Sequence, residues 1–335
     1  MLWLGFLVCV SAIVFSGTKL SRYGDVIAEK SGLGRAWIGL ILLASVTSLP
    51  ELVTGIGSVT YAVVPDIAAG DILGSCVFNL LILAFLDVFH RRSPLSSMAH
   101  PGHILSAGFG LLLLSIVALG LFIRKPIALL SWIGPYSLIF VAVYFLAIKT
   151  IHAHEKKLVS ISAEERVTEL RYQNITLRTA VVHTILNACV VVLAAAFLPP
   201  IGKALARTTG LGQTFVGSIF IALATSLPEV VVSVAAVRMG AIDLAVGNLL
   251  GSNLFNILIL AVDDIFFIKG PLLAFVGSNH MISALSAISM TAIVIVGLSV
   301  RSKKKRLLLA WDSLGIVLIY LTNLILLFTL SQGDR

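Results

Sequence analysis

The feature that most constrains this chain is that it is written twice. Residues 32–51 read GLGRAWIGLILLASVTSLPE, and residues 210–229 read GLGQTFVGSIFIALATSLPE. After a short turn the match resumes: DIAAGDILGSCVFNLLIL at 66–83 aligns with DLAVGNLLGSNLFNILIL at 243–260, with 11 of 18 positions identical. Asp87 falls opposite Asp264, and one residue of slack between the blocks is the only gap. Self-similarity of this kind declares the architecture before any single motif does.

Each copy is built from apolar runs long enough to cross a bilayer, roughly 20 residues apiece. Ten are read, near 2–18, 37–62, 66–89, 103–123, 127–148, 179–199, 213–237, 241–267, 279–299 and 308–330. The first is followed by Lys19 and Arg22 and lacks a basic leader, so it is read as a spanning helix and not a signal peptide. Only 12% of residues are charged against 58% hydrophobic, about half the charge of a soluble domain. A water-facing coat is therefore excluded. Five spans per copy force the second copy to enter the membrane from the opposite side. The expected fold is an all-α polytopic membrane protein of ten transmembrane helices in two inverted five-helix repeats, related by a pseudo-two-fold axis in the membrane plane. The expected divisions are 1–148, a linker at 149–178, and 179–335.

The net charge of +8 is a matter of topology, not of nucleic acid. With the N-terminus outside, the odd-numbered loops hold 18 Lys and Arg and the even-numbered loops with the C-terminus hold 6. That is the positive-inside pattern. It predicts both termini outside the plasma (inner) membrane and the linker in the cytoplasm. The run Arg301, Lys303, Lys304, Lys305, Arg306 reads as an anchor of that topology. The linker, with His152, His154, Glu155, Lys156, Lys157, Glu164, Glu165, Arg166, Glu169 and Arg171, reads as a solvated connector containing a short amphipathic helix. Cys9, Cys76 and Cys189 are isolated small core residues, making neither a disulfide framework nor a zinc site. Asn174-Ile-Thr176 fits a glycosylation pattern but falls on the cytoplasmic side. His183 on the sixth span reads as a packing residue.

Chemistry concentrates in the repeated blocks. Glu51 and Glu229 fall mid-span, where a carboxylate is costly and serves ions or protons. Pro50 and Pro228 precede them, each removing a backbone donor and breaking its helix. Such breaks are tolerated in a membrane where protein, a cavity or an ion satisfies the freed groups. Thr47, Ser48, Thr225 and Ser226 add hydroxyls one turn earlier, although alone they would read as packing residues. Asp71, Ser75 and Asn79 share one stripe of the third span at i, i+4, i+8, as do Asn248, Ser252 and Asn256 on the eighth. Gly70, Gly74, Gly247 and Gly251 keep the adjoining surface thin. The donor set is all oxygen, which suits hard cations and not zinc or copper. Asp66 and Asp243 are expected as helix N-caps. Asp87, Asp263 and Asp264 end those helices, where they would either form an ion vestibule or be ordinary surface residues, and the surface reading is the expected one.

The TSLPE strings at 47–51 and 225–229, with GDILGSCVFN at 70–79 and GNLLGSNLFN at 247–256, resemble the alpha repeats of the calcium/cation antiporter superfamily, specifically prokaryotic-type members of the sodium/calcium exchanger family. The resemblance covers essentially the whole chain. It implies that Glu51 and Glu229 coordinate a divalent cation and that Thr47, Ser48, Thr225 and Ser226 help bind sodium. Ser75, Asn79, Ser252 and Asn256, with Asp71, would complete the site, and the carbonyls of Ala44 and Ala222 would line it. Sodium/calcium exchangers of this family often carry an acid where Asn256 stands, and commonly asparagine where Asp71 stands. Cation/proton members match Asn256 better, so sodium and proton both stay open as coupling ions.

The expected function is secondary antiport of Ca2+ for Na+ by alternating access, without a cofactor. Two carboxylates in a low-dielectric site need cancellation by calcium, or by sodium ions or protons, before the site closes. Helices 1 and 6 are candidates for the part that slides. A Ca2+/H+ antiporter using the same site is the alternative. A cation channel is a third reading. An intramembrane aspartyl protease is disfavoured, because Ala69-Gly70-Asp71 has no paired aspartate in span 2.

Overall fold

In the computed structural model, residues 2–89, 93–123, 128, 132–163, 171–208, 223, 225–302, 305 and 309–333 are described. The helices are α1 Leu2–Ser31, α2 Arg35–Ala62, α3 Pro65–Phe89, α4 His103–Ile123, α5 Pro135–Ala163, α6 Leu177–Thr208, α7 Leu227–Arg238, α8 Ile242–Phe266, α9 His280–Val300 and α10 Trp311–Gly333. Nine of them are long and apolar enough to cross a membrane among the described residues. α7 falls within the remaining span expected from the sequence, near 213–237, of which residues 213–222 and 224 lie outside the described residues. The fold is an all-α membrane protein of ten spans in two inverted repeats.

Burial separates centre from rim. In α8 83% of the spanning window is buried and in α3 72%, against 17% in α10 and 28% in α1, α5 and α6. α3 and α8, the strongest matches between the copies, pack on each other, with α2 and α7 against them. α1 runs along α6 on one side, and α9 packs on α4 on the other. The central helices approach closely because glycine permits it. A Cβ on Gly39 would overlap the carbonyl oxygen of Leu244, one on Gly247 that of Ala36, and one on Gly251 that of Leu40. Three glycines thus mesh α2 with α8 backbone to backbone.

α2 is broken as its proline requires. Its last α-helical segment begins at Leu49, and Pro50 occupies the first turn, where no N–H is needed. Ser48 sits at φ −91°, ψ 7°, outside the helical region. Ser226, before Pro228, repeats this at φ −85°, ψ 5°. Two π-helical stretches, Gly39–Leu43 and Ser58–Ala62, flank the break, and π-segments of this kind gather at functional sites.

Several polar residues behave differently from expectation, and Asp66, Asp243, Asp87 and Asp264 do so by tying the two halves together. Asp66 and Asp243 do not cap their helices, which begin one residue earlier, at Pro65 and Ile242. Asp66 Oδ1 instead accepts from the Gly277 amide at 2.7 Å and meets His280 Nε2 at 3.1 Å. Asp243 Oδ1 does the same with the His100 amide at 2.7 Å and His103 Nε2 at 3.1 Å. Each clasp joins an acid of one repeat to a histidine of the other. Asp87, Asp263 and Asp264 are buried, not surface residues. Asp87 accepts from the amides of Leu95 (2.8 Å) and Ala310 (2.7 Å) and pairs with Lys305 Nζ at 2.9 Å. Asp264 accepts from the amides of Leu272 (2.6 Å) and Gly134 (2.8 Å), from Tyr136 Oη (2.7 Å) and from Ser137 Oγ (2.6 Å). Both acids organise the loop that follows their helix.

The fifth helix continues to Ala163 instead of ending near 148, because no proline or glycine interrupts residues 149–163. The end of the linker is docked, not freely solvated. Glu29 accepts the backbone amides of Arg171 (3.1 Å) and Tyr172 (3.0 Å). Tyr172 Oη donates to Asp25 Oδ2 at 3.0 Å, and Arg35 Nε to Asp25 Oδ1 at 2.5 Å. Burial, with the Asp25 carboxylate beside it, pushes the Tyr172 phenol above its ordinary value and keeps it a donor. His183 stacks on Tyr23, ring centroids 4.7 Å apart, a packing role. Glu164, Glu165, Arg166, Glu169, Lys303, Lys304 and Arg306 lie outside the described residues.

Replacing Gly251 by alanine tests the meshing of α2 and α8. The obstructing atoms are backbone, so overpacking should cost about 1–3 kcal/mol. The expected readout is a lower melting temperature of the purified protein in detergent. An unchanged melting temperature would contradict the close approach.

Candidate functional site

The breaks in α2 and before α7 bring Glu51 and Glu229 to the centre of the bundle, both buried. Their surroundings repeat across the pseudo-two-fold axis. Glu51 Oε1 accepts from Ser75 Oγ at 3.3 Å, and Glu229 Oε1 from Ser252 Oγ at 3.3 Å. The remaining bonds cross over. Ser48, three residues before Glu51, donates to Glu229 Oε1 at 3.1 Å, and Ser226, three residues before Glu229, donates to Glu51 Oε1 at 3.4 Å. Each glutamate is thus held by the serine at the helix break of the opposite repeat.

The other expected residues extend this lattice. Thr47 Oγ1 donates to the Ala44 carbonyl at 3.3 Å and lies 3.4 Å from both Asn248 Oδ1 and Ser252 Oγ. Thr225 Oγ1 donates to Asp71 Oδ1 at 3.2 Å. Ser75 and Ser226 hydroxyls are 3.1 Å apart. Asn79 Nδ2 donates to Asn253 Oδ1 at 3.0 Å, and Asn256 Nδ2 faces Cys76 Sγ at 4.0 Å. All of these side chains are buried. The Ala44 carbonyl also receives the Ser48 amide at 3.0 Å. Ala222 lies outside the described residues.

What these bonds leave over defines the chemistry. Five buried oxygens in this group have no hydrogen-bond partner among the described residues: Glu51 Oε2, Glu229 Oε2, Asp71 Oδ2, Asn79 Oδ1 and Asn256 Oδ1. All are acceptors. An unsatisfied buried polar atom costs on the order of 1–3 kcal/mol, and more when charged. The group is therefore short of positive charge or protons, not of oxygen. Among the described residues no set of three His, Cys, Asp or Glu side chains converges as a resident metal site would; the oxygens come largely from hydroxyls and amides. That donor set fits a hard cation that is held and released.

Four participants were not singled out from the sequence. Ser233 Oγ accepts from Asn248 Nδ2 at 3.1 Å and occupies it. Asn253 joins α3 to α8, donating to the Cys76 carbonyl at 3.2 Å. His103 and His280 clasp the ends of the core. Comparing the two repeats position by position would have found the histidines, which stand 177 residues apart like their aspartates. Asn253 aligns with Cys76 and gave no such signal.

Inverted repeats, paired helix breaks and a buried all-oxygen centre define a membrane transporter of cations. The sequence profile of the sodium/calcium exchanger protein family matches residues 1–151 and 179–329, and the chain belongs to that family of cation antiporters. It is 27% identical over 250 residues to the inner membrane protein YrbG of Escherichia coli, covering 74% of each chain. It is 26% identical over 360 residues to the sodium/calcium exchanger MaX1 of Methanosarcina acetivorans, covering 98% of this chain and 99% of that one. Among solved structures it resembles the sodium-calcium exchanger NCX_Mj soaked with 10 mM Na+ and zero Ca2+, with TM-score 0.71, 18% identity, and coverage of 96% and 98%.

The acids outside the centre separate by role. Asp264 has four donors and no unpartnered oxygen, so Asp264→Asn should lower the melting temperature by several degrees, on the order of 1–3 kcal/mol of lost bonds. Calcium binding to the folded fraction, measured by titration calorimetry, should be unchanged. Weaker calcium binding without loss of stability would contradict a structural role.

Proposed function

We propose that this chain exchanges Ca2+ for Na+ by alternating access, with the cations bound between Glu51 and Glu229. The observation that carries this reading is the set of five unpartnered acceptor oxygens around two serine-bridged carboxylates. Calcium accepts irregular shells of six to eight oxygens, which Glu51, Glu229, Asn79 and Asn256 with water can fill. Thr47, Ser48, Thr225, Ser226, Ser75 and Ser252 supply the hydroxyls for sodium, with Asp71 beside Thr225 and the Ala44 carbonyl lining the centre. The full-length similarity to a relative named as a sodium/calcium exchanger supports the same cations.

The mechanism follows from charge. Bare and doubly ionised, the glutamates repel each other in a medium that screens poorly. Calcium cancels them, and so do sodium ions. The protein changes between its two open forms in a cancelled state, which makes exchange obligatory. The α1 and α6 pair, running together beside the core, is the part that moves against it. Both termini face outward and the linker lies in the cytoplasm, as the basic loops dictate. Asn256 favours one alternative: with an amide where exchangers often carry an acid, the same site couples calcium to protons.

Calcium uptake into proteoliposomes, driven by a sodium gradient in one arm and a proton gradient in the other, tests both. Glu51→Gln and Glu229→Gln should each abolish uptake in folded protein, and normal transport in either refutes the site. Asn256→Asp should strengthen the sodium dependence. An unaltered response to sodium would show that the amide at this position does not set the coupling ion.

A further inference from the structure

One carboxylate in the core has no place in the two-fold arrangement. Asp263 on α8 stands seven residues beyond Asn256, on the same face two turns further along. It is fully buried, and neither of its oxygens has a partner among the described residues. Its counterpart in the first repeat is Leu86.

Opposite Asp263 stands Gly55, one turn past Glu51 on α2. A Cβ on Gly55 would lie 2.6 Å from Asp263 Oδ1, so the carboxylate fills the room that a side chain would need. In the second repeat the position of Gly55 is held by Ser233 and that of Asp71 by Asn248. There the hydroxyl and amide satisfy each other at 3.1 Å. In the first repeat that neutral pair has become a bare glycine and an aspartate, with a second aspartate pressed into the gap. Asp71 gives one oxygen to Thr225 and leaves Oδ2 unpartnered. None of the ion pairs among the described residues involves either acid.

We propose that Asp71 and Asp263 form a second cation site, for a sodium ion, one helical turn from Glu51 and off the two-fold axis. It rests on the exchange reading above and gives the coupling ion a place of its own. Three carboxylate oxygens without donors are too few for the shell of calcium, which takes about six to eight, and are sufficient to hold sodium that keeps part of its water. The site also makes the two routes to the centre unequal. A cation arriving along the second half of α2 meets Asp263, whereas the symmetric route has Leu86 and Ser233.

The test uses the full chain in proteoliposomes and two modes of transport. Calcium/calcium exchange needs only the glutamate centre, and sodium-driven calcium release needs the sodium site as well. Asp263→Asn should leave calcium/calcium exchange within about twofold and raise the sodium concentration for half-maximal release about tenfold or more, as expected for one charged ligand lost. Asp263→Leu, which carries what the first repeat has at Leu86, should do the same. Sodium chloride should raise the melting temperature of the wild type over choline chloride at fixed pH, and should not do so in either variant. Unchanged sodium dependence overturns the proposal, as does equal loss of both modes in folded protein, or failure of both variants to fold. A shift in the pH profile alone marks a shared proton and overturns a sodium site. A wild type without calcium/calcium exchange sinks the exchange reading itself, a result distinct from any of these.

Discussion

The structure depends on two glutamates that are buried where charge is least welcome and held by each other's neighbours. Ser48 reaches across to Glu229 and Ser226 across to Glu51, so neither repeat completes its own carboxylate. Each helix break is needed to place its serine, and each proline is needed for the break. The bridging bonds use one oxygen of each acid and leave the other bare. On the proposed exchange reading, association of the repeats and binding of cations are one electrostatic problem, met by hydroxyls first and then by an ion.

That arrangement explains how the rest of the fold is allocated. The glycines on α2 and α8 bring backbones close enough for side chains as short as serine and threonine to span the gap. The Asp66–His280 and Asp243–His103 clasps pin one repeat to the other at both ends of the core. Asp87 and Asp264, buried at the ends of α3 and α8, fix the loops leading away. Lipid-facing helices such as α10 carry little of this polar work and are correspondingly exposed.

Much of the architecture was legible in the sequence, because membrane spans and repeats are written in long apolar runs and in identity between halves. α4 begins and ends at the residues expected, and the break at each TSLPE string lies where proline demands. The acids at helix ends were less legible. Asp66, Asp87, Asp243 and Asp264 look like ordinary caps or surface charges, since most of their partners, backbone amides and the side chains of histidine, lysine, tyrosine and serine, lie far away in the chain. Asp263 reads from the sequence as a third helix-end acid; it lacks a counterpart in the first repeat, so comparison of the copies does not mark it as part of the buried core. α5 runs past the expected end of the fifth span at 148 into the linker, where a short amphipathic helix is expected; apolar content marks the end of a span and not of a helix, and no glycine or proline stops this one before Ala163.

The most direct test of the central claim is to see the ion. Anomalous scattering from crystals soaked in strontium, a larger calcium surrogate, should give a peak within bonding distance of both Glu51 Oε2 and Glu229 Oε2, slightly beyond the roughly 2.3–2.6 Å of calcium–oxygen bonds. A peak bound elsewhere, with those two oxygens still bare, would contradict the account.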